Sequence, residues 1–212
     1  MKKILVIVFM MIAGVLLTTG TPVSAKEVSI PNYKTVDVTK KGCVYYETGI
    51  DSRIVSDITK VFKTMLYTKQ ARQSFKSEGW KLYIVNDVIK KKDSITTLGF
   101  TDKSNKTVVI SIKGVNYIRV TEHEMIHYIE HIYKGNGVVL LDLAEEIERI
   151  YEENKENFKI SSDYLNSYAV TDEEEFFAHV WEYRDQPFIQ VNQKEALNYI
   201  RQMVVTVNDK TK

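Results

Sequence analysis

The sequence has one cysteine, Cys43, so no internal disulfide framework is possible and an ordinary apolar core must hold the fold. Cys43 itself reads as a buried apolar thiol. Beyond the first 25 residues no apolar run approaches the ~20 residues of a membrane-spanning helix, so no membrane domain is expected. Neither sign of charge dominates: 29 Lys and Arg face 28 Asp and Glu. Net charge therefore gives no reason to expect nucleic acid or an anionic membrane as partner. Internal repeats and low-complexity linkers are missing too. Histidine is scarce, with four in the chain, and where they fall is informative.

What is present starts with MKKILVIVFMMIAGVLLTTGTPVSA, residues 1–25. Lys2 and Lys3, an apolar run from Ile4 to Leu17, and the small residues Val23, Ser24 and Ala25 are the three parts of a secretory signal. A membrane anchor is the rival reading, but the run is short and ends in polar TTGT. The expected product is secreted and extracellular, a monomer of one domain over residues 26–212.

The pattern KTVDVTKKGCVYY (34–46) is strand-like, and Asp51 or Ser52 then caps a helix with Ile54, Val55, Ile58, Val61, Phe62, Met65 and Leu66 at helical spacing. WKLYIVND (80–87) and KTVVISI (106–112) read as strands joined by a Lys- and Thr-rich loop. Helices follow near 116–134, 142–157, 172–184 and 189–203. Asp142 with Glu145, and Thr171 with Glu174, have capping-box spacing. The expected fold class is α+β: a small N-terminal sheet with helices, then a mainly helical half that carries the functional site.

In TEHEMIHYIEH (121–131), histidine recurs at His123, His127 and His131. On a helix the first two differ by ~40° and ~6 Å of rise, so both imidazoles can meet one ion. His131 lies ~12 Å beyond His123, out of reach of that ion. Met125, Ile126, Ile129, Ile132 and Tyr133 fall on roughly the opposite face. Glu124 completes the pattern HExxH, in which two imidazoles bind Zn²⁺ and the adjacent carboxylate takes a proton from metal-bound water. The expected cofactor is one zinc ion.

Catalytic zinc needs a third protein ligand. A histidine six residues after His127 is ruled out, because Tyr133 stands there and Glu130 replaces the glycine that class requires. A glutamate on the next helix, Glu145, Glu146 or Glu148, is possible, in a stretch that looks like an exposed amphipathic face. So is SYAVTDEEEFFAHVWEYR (167–184), where Glu175, His179 and Glu182 share a helix face.

His123, Glu124 and His127, followed by Tyr168 and by Glu175 with Phe176, Phe177 and Ala178, resemble the zinc-peptidase domain of anthrax lethal factor and the clostridial Pro-Pro endopeptidases. The likeness covers residues 121–184. It implies Glu175 as third ligand and Tyr168 as the phenol that steadies the oxyanion, with Glu124 moving the proton from water to the departing amine. Where those relatives carry a glutamate four residues after the ligand glutamate, this chain has His179. His179 and Glu130 are thus candidates to orient the metal-bound groups. The resemblance also implies an extended peptide substrate paired to an edge strand beside the metal helix, for which TVVISI (107–112), with Val108, Ile110 and Ile112, is the candidate.

KKKDSITTLGFTDKSNK lacks the tryptophan of the Pro-Pro enzymes, so Pro-Pro cleavage is not implied. The resulting expectation is a secreted zinc metalloendopeptidase acting on extracellular or surface proteins. The alternatives are a secreted zinc-containing binding or adhesion protein without catalysis, and a thermolysin-type peptidase with its third ligand at Glu145 or Glu146. Glu124 discriminates, since a purely structural metal needs no base beside its ligands.

Overall fold

The computed structural model describes residues 23–31, 33–90, 96–114, 116–135, 141–159 and 167–209. Apart from residues 23–25, the expected signal segment lies outside them. In chain order the strands are β1 (Val23–Ser29), β2 (Thr35–Lys41), β3 (Val44–Glu47), β4 (Lys81–Val85), β5 (Ile89–Lys90), β6 (Thr96–Thr97), β7 (Gly99–Asp102) and β8 (Thr107–Ser111). The helices are α1 (Ser52–Met65), α2 (Lys69–Ser77), α3 (Tyr117–Gly135), α4 (Leu141–Asn154), α5 (Glu173–Glu182), α6 (Pro187–Asn192) and α7 (Lys194–Asp209). This is the expected α+β arrangement, with the strands in the first half and mainly helix after Gly114. Among the described residues no helix is long and apolar enough to cross a membrane.

The main sheet has the order β1-β2-β3-β4-β8-β7, with β4 parallel to β3 and β8 and the other pairs antiparallel. Side chains alternate across it. Leu82, Ile84, Val108 and Ile110 face the main core with Ile58, Phe62, Met125 and Ile129, while Tyr83, Val85 and Val109 face a smaller cluster with Ile30, Val36, Val38 and Ile89. A sheet covered on both faces needs continuous apolar runs in its central strands, which LYIV and TVVIS supply.

That burial corrects the expected edge strand. All five residues of β8 are buried and it pairs on both sides, with β4 and with β7. Val108 and Ile110 are therefore core residues, and Ile112 lies just past the strand. The edge is β7, GFTD, inside the stretch expected to be a loop. Its weak apolar content hid it, because an edge strand with one partner needs less burial.

Other boundaries also moved. Asp51 caps α1 as expected, its carboxylate accepting from Arg53 N. Helix α2 was not foreseen: only Ala71 and Phe75 anchor it, one turn apart, with Thr68 as cap. At α5 the cap is Asp172 rather than Thr171. Asp172 Oδ1 accepts from Glu175 N at 2.9 Å, and Thr171 Oγ1 turns back to the Tyr168 carbonyl. Leu141 precedes the expected cap Asp142, whose side chain lies outside the described residues. The expected helix 189–203 is two helices, with Pro187 starting the first and buried Gln193 between them.

Helix α3 passes through the middle of this arrangement, against α1, α5, α7, β7 and β8. Its apolar residues Met125, Ile126, Ile129, Ile132 and Tyr133 are buried, but so are His123, Glu124, His127 and Glu130. The histidine face is covered by α5 and β7 instead of facing solvent.

Candidate metal centre

One turn of α3 puts the Nε2 atoms of His123 and His127 3.1 Å apart. Helix α5 brings Glu175 to them: Oε2 lies 3.3 Å from His123 Nε2 and Oε1 lies 3.8 Å from His127 Nε2. Ligands held ~2.0–2.2 Å from a tetrahedral ion stand ~3.3–3.6 Å from one another, and the separations to the two Glu175 oxygens and between the imidazoles lie close to that range. Glu175 Oε2 is buried without a formed hydrogen bond. His123, His127 and Glu175 could hold a metal ion.

The position of Glu175 follows from its cap. Asp172 starts α5, so Glu175 falls in the first turn with its N–H held by the cap. Its side chain is then free to point at α3. Seven residues later on the same helix, Glu182 Oε2 lies 3.1 Å from His123 Nδ1. With Nδ1–H donating to Glu182, the Nε2 lone pair of His123 is directed at the common centre. Glu182 is the main residue that sequence reasoning left without a role. The signal was its place on the Glu175 face of α5.

Electrostatics mark the centre as a cation site. Burial disfavours charge on His123, yet the close Glu175 and Glu182 carboxylates outweigh this and push its pKa up to about 10. His127 is pushed down to about 3 by burial and by the adjacent His123 charge. Burial opposes ionisation of Glu175 too, but the His123 partner wins and holds its carboxyl at about 2. A single proton on His123 thus stands where a cation would neutralise the surrounding carboxylates.

Glu124 points into the same space. The Thr101 hydroxyl lies 2.9 Å from Glu124 Oε2 and from its backbone carbonyl. A Cβ on Gly99 would come within 2.8 Å of Glu124 Oε1 and 2.7 Å of Val120 Cγ1. Strand β7 therefore runs against the carboxylate at a distance only glycine permits. Tyr168 donates to Glu175 Oε1 at 2.9 Å. Burial and the neighbouring Glu175 raise its pKa, so it keeps its proton.

His179 does not hydrogen-bond the Glu175 carboxylate. Its Nδ1–H donates to the Glu175 backbone carbonyl at 2.8 Å, and its ring edge packs against His123 with centroids 4.6 Å apart. It braces both ligands, and with His123 and Glu182 it forms a second grouping close enough for a metal. Glu130 is buried, and it pairs with Lys134 at 2.8 Å. Burial pushes its carboxyl up to about 7. It lies near His127 and Glu174, but His127 Nδ1 has no hydrogen-bond partner. The carboxylate that orients an imidazole is therefore Glu182, not Glu130.

The candidates outside the centre separate cleanly. Glu145, Glu146 and Glu148 are exposed on α4, and none joins a histidine-containing group among the described residues. His131 packs on Trp80 at 5.6 Å between centroids. A cleft of about 390 Å³ opens over the centre, bordered by Leu98, Gly99, Thr101, Lys103, Val120 and Tyr168. No protein-family model matches the chain, and no curated protein matches it. The site's own geometry carries the functional reading.

Proposed function

We propose that the protein is a secreted zinc metalloendopeptidase of the lethal factor and Pro-Pro endopeptidase type, acting on extracellular or surface proteins. The observation that carries this reading is the meeting of His123, His127 and Glu175 in one cleft with Glu124 and Tyr168 beside them. Two imidazoles and one carboxylate at near-tetrahedral separations suit zinc better than the all-oxygen cations, and they leave a position open. Zinc bound there would supply Lewis acidity, polarising the substrate carbonyl and acidifying water.

Glu124, buried and steadied by Thr101, accepts the proton from the attacking water and later gives it to the departing amine. Tyr168 keeps its proton at neutral pH and donates a hydrogen bond to the oxyanion. Its present acceptor, Glu175 Oε1, shows that the hydroxyl reaches the centre. Glu182 and His179 hold His123 and the Glu175 backbone in register. Among the described residues no strand covers the outer side of β7, so an extended peptide could pair there with its backbone by displacing the Thr97 hydroxyl from Gly99 O, which β8 cannot offer. Neither a nucleic acid nor a membrane is required as partner, and one chain contains every group of the site.

The test is digestion of a peptide library by purified residues 26–212, with bound zinc measured alongside and Glu124→Ala as control. Cleavage by the wild type alone, with zinc in both proteins, is the expected result. Zinc in both proteins with no cleavage by either would leave a metal-containing binding protein.

A further inference from the structure

Near-neutral net charge conceals an uneven distribution. Residues 26–113 contain 17 Lys and Arg against 9 Asp and Glu, and residues 114–212 contain 10 against 19. The fold gathers part of the basic excess at one end of the sheet. Lys41 pairs with Val44, which sits beside Leu82. Lys81 pairs with Thr107, which follows Lys106. Lys81 N also donates to the Lys106 carbonyl at 2.9 Å. Lys76 closes the end of α2, where the Gly79 turn leads directly into β4. Lys41, Lys76, Lys81 and Lys106 are all exposed.

This row begins inside the cleft. Lys103 borders it, immediately after β7, whose last residue Asp102 pairs with Thr107. With strands ~4.8 Å apart, the lysines continue for roughly 15–20 Å from the end of β7 across β8, β4 and β3. Their acidic neighbours are already engaged. Glu174 pairs with Lys103, the Glu78 carboxylate accepts from Ser74, and Asp102 accepts from Asn105. Lys41, Lys76 and Lys81 make no ion pair among the described residues.

We infer that the lysine row that starts beside the Lys103–Glu174 pair and runs from Lys106 through Lys81 to Lys76 and Lys41 binds an acidic segment of the substrate protein on one side of the cleaved bond. This rests on the peptidase reading above. An extended chain lying along β7 leaves the cleft at the Lys103 end and reaches the row within about three to four residues, at ~3.4 Å each. At that end Lys41, Lys76, Lys81 and Lys106 are all exposed. A peptide can confine its acidic residues to the lysine end, whereas a phosphate backbone carries its charge along its whole length. The row would act mainly by raising local substrate concentration and capture rate.

A peptide that the enzyme cuts is extended by a short aspartate run before the cleaved bond, after it, or by serines as reference. One aspartate version, and not the other, is expected to show kcat/KM raised by about fivefold at ~50 mM salt, through KM, with the gain lost near ~1 M salt. In Lys41→Glu/Lys81→Glu the ratio of that peptide to the serine version falls to about one. Equal rates for all three peptides, or a gain that the double variant keeps, overturn the inference while leaving the peptidase reading intact. If nothing is cut, fluorescence anisotropy of a labelled aspartate-rich peptide still decides. Binding to Glu124→Gln that Lys41→Glu/Lys81→Glu abolishes supports the row, and binding that the double variant leaves unchanged overturns it. Tighter binding of duplex DNA than of the peptide at the same lysines also overturns it.

Discussion

Glu182 Oε2 accepts from Nδ1 of His123 across the α3–α5 interface, and the same helix presents Glu175 to Nε2 of that imidazole. One helix therefore carries both a candidate ligand and the carboxylate that aims His123. Removing the carboxylate should leave His123 free to adopt the wrong tautomer. Glu182→Gln is expected to weaken metal affinity by about 10- to 100-fold. Competition against a chelating dye measures this, and an affinity within twofold of wild type would remove Glu182 from the role.

In the proposed peptidase Glu124 and Tyr168 act on substrate rather than on the ion, so their loss should separate chemistry from binding. Glu124→Gln is expected to lower kcat by about 10²- to 10⁴-fold, and Tyr168→Phe by about 10²-fold, both with full zinc content. Because Tyr168 also donates to Glu175, some loss of zinc from Tyr168→Phe would show that the phenol matters more for the ligand than for the oxyanion.

The metal-facing histidines were legible because helical geometry fixes where residues four apart point, whatever the rest of the fold does. Glu175 was not legible from spacing. It lies about 50 residues beyond His123, and only the α3–α5 packing joins them, so the residues alone left it as one candidate beside Glu145, Glu146 and Glu148. Glu182 was visible as a member of the Glu175 face, but a role for it required knowing which imidazole nitrogen it meets. Strand β7 was lost for a different reason. Four residues with one partner leave little periodicity, and Gly99 reads locally as a turn although a close approach to Glu124 demands it. The basic end of the sheet was hidden by summing charge over a chain whose halves nearly cancel.

The proton on His123 makes metal binding depend on pH over an unusual range. Its folded pKa, about 10, is raised above the ordinary 6.5. In the metal-free protein its contribution to stability is therefore fully present below about pH 6.5 and is lost as pH rises through about 10. Zinc must displace that proton, while His127 and Glu175 have already lost theirs at neutral pH. Affinity should then rise by about tenfold per pH unit between pH 7 and 9, with release of about one proton per ion. Calorimetry in buffers of different ionisation enthalpy counts the proton. An affinity flat above pH 7 would mean that both imidazoles titrate normally.

Gly99 supplies the sharpest check on how the edge strand and Glu124 fit together. A methyl group there would meet Glu124 Cγ and Oε1 at 2.8 Å and Val120 Cγ1 at 2.7 Å, well inside ordinary contact. Either β7 moves outward, taking Thr101 from Glu124, or the Glu124 carboxylate turns away from the centre. Both outcomes disturb the base while leaving His123, His127 and Glu175 in place. Gly99→Ala is therefore expected to keep zinc, to lose about 1–3 kcal/mol of stability through overpacking, and to lose most peptide cleavage. Because thermal unfolding, zinc content and turnover are measured on the same protein, the three effects can be told apart. A variant that cuts peptides at the wild-type rate would mean that β7 does not lie this close to Glu124 in solution.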